Sequence, residues 1–311
     1  MIKKNITSAF VEKYSTIIIF LVPALTLFTV FVVMPIFEAA YFSFYRWNGM
    51  GAPEKYVGFK NYAFLFKNGI FLNALKNNFW IIFVSLFIQL PFALFLALFL
   101  ANNFRGAAVF RSLFFLPYIL AEIVASLIWV YIYKGDYGLV GAIWGLFGAD
   151  APWITADKEW ALTAILIVVV WKYFGIHMMI MISGLQGISK EVIEAAKIDG
   201  AGPITTALRI KIPILWPTIT LSIFLSTLGS LQLFDLIMPL TMGGPSNVTH
   251  SMVTYLYDFG VGRMRLGFGS AISVVIFIIC FVVALIYQTT ILKDKGYNLS
   301  LIHISEPTRL L

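Results

Sequence analysis

"EAAKIDGAGPITTALRIKIPIL", residues 194–215, sets charges and two glycine-containing turns between long apolar runs. Glu191, Glu194 and Lys197 recur at three-residue spacing with Ala195 and Ala196 between them, which predicts a short surface helix. Gly200 and the pair Gly202-Pro203 end it, because glycine accepts a left-handed cap and proline cannot continue the hydrogen-bond ladder. A second short helix is predicted over 204–211, and Pro213 opens the next apolar run. Taken alone, this helix, turn and helix is either an amphipathic connector resting on lipid headgroups or a handle for a partner.

The flanking runs decide the class. Of 311 residues, 60% are hydrophobic and only 12% charged, and the mean hydropathy is +0.89; soluble domains carry about a quarter charged residues. This is the composition of an integral membrane protein. Six runs reach the ~20 residues that a helix needs to cross the hydrocarbon core. Their bounding charges are Lys13 and Glu38, Lys76 and Arg105, Arg111 and Lys134, Glu159 and Lys190, Lys211 and Asp235, and Arg265 and Lys293, with Glu122 inside the third and Lys172 inside the fourth. The first run is too long for a signal-peptide core and lacks a small-residue cleavage site, so it is expected to stay as an anchor.

The expected organisation is a cytoplasmic segment and first membrane helix at 1–37, an extracytoplasmic loop at 38–77, and a five-helix core at 78–292 that carries the polar loop, 184–213. Residues 293–311 have no helical periodicity and read as a disordered tail or a non-native scar. Lys3, Lys4, Lys13, Arg105, Arg111, Lys190, Lys197, Arg209, Lys211, Lys293 and Lys295 fall on one side, which the positive-inside bias makes cytoplasmic, with both termini.

Several classes of chemistry are excluded. Despite a formal charge of +7, the basic residues form no face that could track nucleic acid. A single cysteine, Cys280, permits neither an intrachain disulfide nor a cysteine metal cluster. His177, His250 and His303 are too far apart for a spaced metal motif, so no metal is expected. No Gly-Lys dipeptide occurs, so a phosphate-cradling loop with its lysine is absent. No clustered nucleophile and base points to catalysis, so the chain is not read as an enzyme.

Polar side chains inside membrane helices usually face a bundle interior or cavity. The fifth run places Ser222, Ser226, Gly229, Ser230 and Leu233 on one helical face, and the fourth places Lys172, Tyr173, Ile176 and His177 on another. Small residues there equally permit close helix packing. Lys172 equally suits an ion pair with Glu122 or Asp235.

Glu194-Ala195-Ala196, Gly200, Ile210 and Ile212-Pro213 match the pattern EAA-x3-G-x9-I-x-L-P with one Ile for Leu. This resembles the signature loop of binding-protein-dependent ABC importer permeases. "FDLIMPLTMGGPSNVT" at 234–249 and "YVGFKNY" at 56–62 are similar to the sugar-transporting branch, of the maltose, multiple-sugar and glycerol-phosphate type. The resemblance implies an all-α integral membrane fold with six transmembrane helices, the type I ABC importer transmembrane domain, in a bacterial cytoplasmic membrane. It implies that Glu194, Ala195, Ala196, Asp199, Gly200, Ile210 and Pro213 couple the chain to an ATPase. It also implies that Lys172, Tyr173, Ile176, His177, Ser226, Ser230, Gln232 and Leu233 line a carbohydrate path, and that Gly243, Gly244 and Pro245 meet a binding protein. The implied partners are a second homologous permease, two cytoplasmic ATPase subunits that use ATP and Mg, an extracytoplasmic solute-binding protein and membrane lipid; this chain binds no cofactor. The solutes expected are oligosaccharides or sugar-phosphate-like molecules. The alternative is an ion-coupled secondary transporter, which the lack of paired, interrupted halves disfavours.

Overall fold

The computed structural model describes residues 6–53, 55–102, 104–135, 137–148 and 153–289. The predicted tail at 293–311 lies outside the described residues, as do Lys3 and Lys4. Five helices are long and apolar enough to cross a membrane: α1 (Ile17–Phe42), α3 (Gly69–Leu100), α7 (Ala161–Gln186), α9 (Pro203–Leu231) and α12 (Leu266–Tyr287). Shorter helices join them: α2 (Lys60–Lys67), α4 (Ala107–Ile119), α5 (Glu122–Ile132), α6 (Leu139–Leu146), α8 (Lys190–Ile198), α10 (Ile237–Thr241) and α11 (Met252–Tyr255). A two-stranded antiparallel hairpin, β1 (Tyr45–Arg46) with β2 (Lys55–Tyr56), follows α1.

One predicted boundary, at Pro213, moves for a physical reason that recurs at two other prolines. Pro35, Pro91 and Pro213 each follow a π-helical turn, at Thr29–Val33, Ser85–Gln89 and Ala207–Lys211. Proline has no N–H and its ring crowds the carbonyl four residues back, and the wider turn relieves that crowding without ending the helix. Pro213 therefore does not start a span: α9 runs unbroken from Pro203, and the separate helix expected at 204–211 is its first part. The expected loop at 38–77 likewise contains the end of α1, the hairpin, α2 and the start of α3.

The third expected span is not one helix. Leu120 and Ala121 adopt extended backbone, with ψ of 139° and 140°, and α4 and α5 meet there at 95°. At about 1.5 Å per residue each half reaches roughly 20 Å or less, short of the ~30 Å hydrocarbon core. Counted as one broken span, the pair makes the sixth crossing.

Two compact units are built from these elements. In residues 1–71 with 255–277, Asn61 fastens the hairpin by donating its Nδ2 to the carbonyls of Ser43 (2.7 Å) and Tyr45 (3.0 Å), and Tyr62 donates its hydroxyl to Ser43 Oγ (2.8 Å). The start of α12 crosses β1 at Gly267, where a Cβ would lie 2.1 Å from the Tyr45 carbonyl oxygen. In the unit that holds residues 72–254, α7 is the central post, packed along the second half of α3, along α4 and along α9. Leu90, Ala93 and Ala97 of α3 interlock with Phe174, Met178 and Met181 of α7, and Leu215 and Ile219 of α9 close that cluster.

Lipid supplies no hydrophobic drive between helices, so such crossings depend on close packing at small residues. Gly175 of α7 shows this: a Cβ there would meet the Phe114 carbonyl oxygen at 2.2 Å. Gly175→Val is expected to cost about 1–3 kcal/mol, because backbone cannot move aside as a side chain can. Gly145→Ala, with nothing within 4 Å of its added Cβ, should be neutral or slightly stabilising. Thermal unfolding in detergent reads both, and an unchanged Tm for Gly175→Val contradicts the close crossing.

Candidate functional site

The break between α4 and α5 leaves backbone carbonyls without helical partners, and such groups need donors from elsewhere in the protein. Lys172 of α7, 1% exposed, supplies the donors. Its Nζ donates to the carbonyls of Pro117 (2.8 Å) and Tyr118 (3.0 Å), and also to that of Leu120. Tyr173, the next residue, donates its hydroxyl to Glu122 Oε1 at 2.7 Å and so holds the first residue of α5. Ser126 of α5 donates to the Leu236 carbonyl at 3.0 Å, tying that helix to the chain beyond α9.

Next to this break lies a cavity of about 270 Å3. It gathers Tyr173 and His177 from α7, Ser226, Gly229 and Ser230 from α9, and Gln232 and Leu233 just beyond. The predicted path residues Tyr173, His177, Ser226, Ser230, Gln232 and Leu233 thus share one wall. Lys172 and Ile176 do not line it, and the ammonium of Lys172 bonds carbonyls instead of the carboxylates named as alternative partners. Ser222 is buried elsewhere, with its hydroxyl unpartnered among the described residues.

Sequence reasoning missed half of the lining. Ser85 and Gln89 enter from α3, one turn apart, with Ile81 a turn before them; Glu122 and Asp235 bring two carboxylates. The signal was present, since Ser85 and Gln89 are polar groups at i, i+4 spacing within an apolar run. Among the described lining there is no Lys or Arg. Gln89 Oε1 and His177 Nδ1 are buried without hydrogen-bond partners among the described residues. Buried polar atoms are normally paired, so these two leave unmet hydrogen-bonding capacity on residues of the cavity wall.

Asparagines behind the wall fix its shape. Asn78 donates to the Ser230 carbonyl (2.7 Å) and accepts from the Met252 amide (2.8 Å), while Ser251 donates to the Leu233 carbonyl (2.7 Å). Asn77 binds the carbonyls of Val248 and His250, which steadies the turn at 243–250. In that turn Gly243, at φ +78°, is buried: a Cβ would lie 2.1 Å from His250 Cε1. The predicted contact Gly243-Gly244-Pro245 therefore shapes the turn, with a cis bond before Pro245, while Met242 at its edge is 76% exposed.

The opening stretch of the sequence forms α8 and the base of α9. α8 ends in paired Schellman bonds: the Ala201 amide donates to the Ala196 carbonyl (2.9 Å) and the Gly200 amide to that of Lys197 (3.0 Å). This closure needs the left-handed φ of +81° that Gly200 supplies. Glu194, Ala195 and Asp199 are exposed, as is Pro213; Ile210 is half-buried and Ala196 turns inward against its own chain. The sequence reading overlooked three exposed apolar side chains in this stretch, Ile198 (86% exposed), Ile204 (75%) and Leu208 (60%), of which Ile204 and Leu208 lie one turn apart on α9. Exposed apolar patches rimmed by charge mark protein contacts.

Comparison with known proteins bears on this geometry. Residues 89–293 match the family model described as binding-protein-dependent transport system inner membrane component. The chain is 31% identical to the sulfoquinovosyl glycerol transport system permease protein SmoG of Agrobacterium fabrum, over 87% of this chain and 88% of that one. It is 30% identical to the multiple sugar-binding transport system permease protein MsmF of Streptococcus mutans, over 86% and 92%. A chain of the crystal structure of a bacterial alginate ABC transporter, in complex with an alginate pentasaccharide-bound periplasmic protein, superposes with a TM-score of 0.80 at 20% identity, over 90% of this chain and 95% of that one.

Lys172→Met is expected to leave the carbonyls at the break unserved, at about 1–3 kcal/mol for each group left without a donor. Melting in detergent should fall steeply, and amide hydrogen exchange should rise at 119–122 before it rises elsewhere. Uniform exchange with unchanged melting contradicts the role of Lys172.

Proposed function

The chain belongs to the binding-protein-dependent transport system inner membrane components, and from that premise we propose that it forms one half of the membrane pathway of an ATP-driven sugar importer. The observation that carries the sugar reading is the intramembrane cavity. A carbohydrate presents hydroxyls that both donate and accept, and Ser85, Gln89, His177, Ser226, Ser230 and Gln232 offer both roles around it. Glu122 and Asp235 accept from hydroxyls, and Tyr173 offers a ring against a sugar face. The names of the relatives, one a multiple-sugar permease, support the same class.

Coupling follows from the continuity of α9. The stretch that exposes Ile198, Ile204 and Leu208, together with Glu194 and Asp199, is the seat for a cytoplasmic ATPase subunit. Movement of α8 passes to Pro203, the first residue of a helix that runs unbroken to Ser226 and Ser230 in the cavity wall. A rigid element carries such a displacement as a body. ATP and Mg are used in two partner ATPase subunits, a second permease completes the path, and a solute-binding protein delivers its load to the side that bears the 243–250 turn. Both termini are then cytoplasmic. An ion-coupled mechanism is not favoured, because the matching family is a component of binding-protein-dependent transport systems and the superposing crystal structure is of an ABC transporter.

ATP-driven uptake of a labelled oligosaccharide panel into proteoliposomes of the assembled complex tests this reading. Ile198→Asp and Gly200→Pro are expected to lower uptake at least tenfold while the complex still inserts in the membrane. Uptake that persists in both variants, or that proceeds without ATP, contradicts it.

A further inference from the structure

Within residues 1–71 and 255–277 lies a second cavity, of about 890 Å3. Three cations from three separate elements line it: Arg46 on β1, Lys60 at the start of α2, and Arg265, one residue before α12. Its described lining contains no Asp or Glu. Arg46 also stands directly opposite Lys55 in the hairpin register, and like charges facing across a strand pair are destabilising. The fold gathers positive charge here without an acidic side chain in the described lining to offset it.

The walls of the cavity adjoin the ends of two apolar helices long enough to span a membrane. Trp47 stacks on Phe42, the last residue of α1, with ring centroids 4.1 Å apart. Phe64 meets Phe268, in the first turn of α12, edge-on at 5.3 Å. Two walls are thus fastened to the ends of two membrane spans, the level where Trp and basic side chains concentrate. Arg265 lies 5.1 Å from the Phe268 ring and 5.5 Å from the Phe64 ring, contacts that hold the guanidinium in place and leave its charge intact. The apolar window of α1 is unburied in this chain, which leaves a helix surface for acyl chains.

We propose that this cavity binds the headgroup of an anionic phospholipid, with its phosphodiester between Arg46, Lys60 and Arg265. A soluble glycerophosphate offers the same group, but the span-end position and the apolar surface of α1 favour the lipid. This inference is independent of the sugar reading.

The test is photocrosslinking of the purified chain in nanodiscs, with photoactivatable phosphatidylglycerol or phosphatidylcholine and the adducts mapped by mass spectrometry. Phosphatidylglycerol is expected to label residues 42–64 and 264–268 at least fivefold more than phosphatidylcholine. Each neutralised cation should weaken association roughly fivefold, so Arg46→Gln with Lys60→Gln and Arg265→Gln abolishes the preference, and Arg46→Lys with Arg265→Lys retains it. If the triple variant fails to fold, the exposed Lys60→Gln alone must show the partial loss. Equal labelling by the two lipids overturns the proposal, as does a preference that survives neutralisation. Tight binding of soluble glycerol phosphate in phosphatidylcholine discs, or displacement of the lipid by an acidic peptide, overturns it as well, in favour of a soluble ligand or a protein partner.

Discussion

A bilayer gives a broken helix nothing to bond with, and the ammonium of Lys172 over the carbonyls of Pro117, Tyr118 and Leu120 meets that constraint. The break it stabilises brings Glu122 to the cavity. The neighbouring Tyr173 then grips Glu122 from the other side of the bend. Two consecutive residues of α7 hold the two halves of one span, so the post at the centre of this unit also sets the shape of its polar chamber. A lysine that in the sequence suits either a ligand or an ion pair is a structural cation bound to carbonyls, and its withdrawal leaves the described lining with carboxylates and neutral groups.

The same constraint explains the prolines. Pro35, Pro91 and Pro213 sit in or beside long helices that do not stop, because a π-helical turn before each absorbs the clash. At Pro213 this has mechanical weight, since an unbroken α9 joins the exposed loop at its base to Ser226 and Ser230. Glycines do related work where helices cross, in a medium that does not press helices together: Gly175 admits the backbone of Phe114, and Gly184 admits the side chains of Leu215 and Thr218.

Much of this was legible in the residues. The apolar runs located the spans, and the spacing of Glu191, Glu194 and Lys197 followed by Gly200 located α8 and its cap. Helical periodicity placed Tyr173 with His177, and Ser226 with Ser230, on common faces. Periodicity says which residues share a face but not what that face meets, so Lys172 could not be separated from Tyr173, its neighbour by one residue. Ser85 and Gln89 went unread because nothing local ties α3 to α9; their shared cavity is a long-range fact. The bend at Leu120 and Ala121 carries no glycine, and Pro117 alone does not mark it. Nothing in the residues around Gly243 shows that the His250 ring packs where its Cβ would lie.

The central claim is that the polar chamber between α3, α5, α7 and α9 is a water-filled solute path. Thiol labelling measures this most directly. In a Cys280→Ser background of the assembled complex, Ser226→Cys and Ser230→Cys should react with a membrane-impermeant thiol reagent in at least one nucleotide state. Transported sugar should shield both, while Phe87→Cys, on a 66% exposed apolar side chain of α3, stays unlabelled. If Ser226→Cys and Ser230→Cys stay unreactive in every nucleotide state while the complex transports, the chamber is a packed interior and the solute crosses elsewhere.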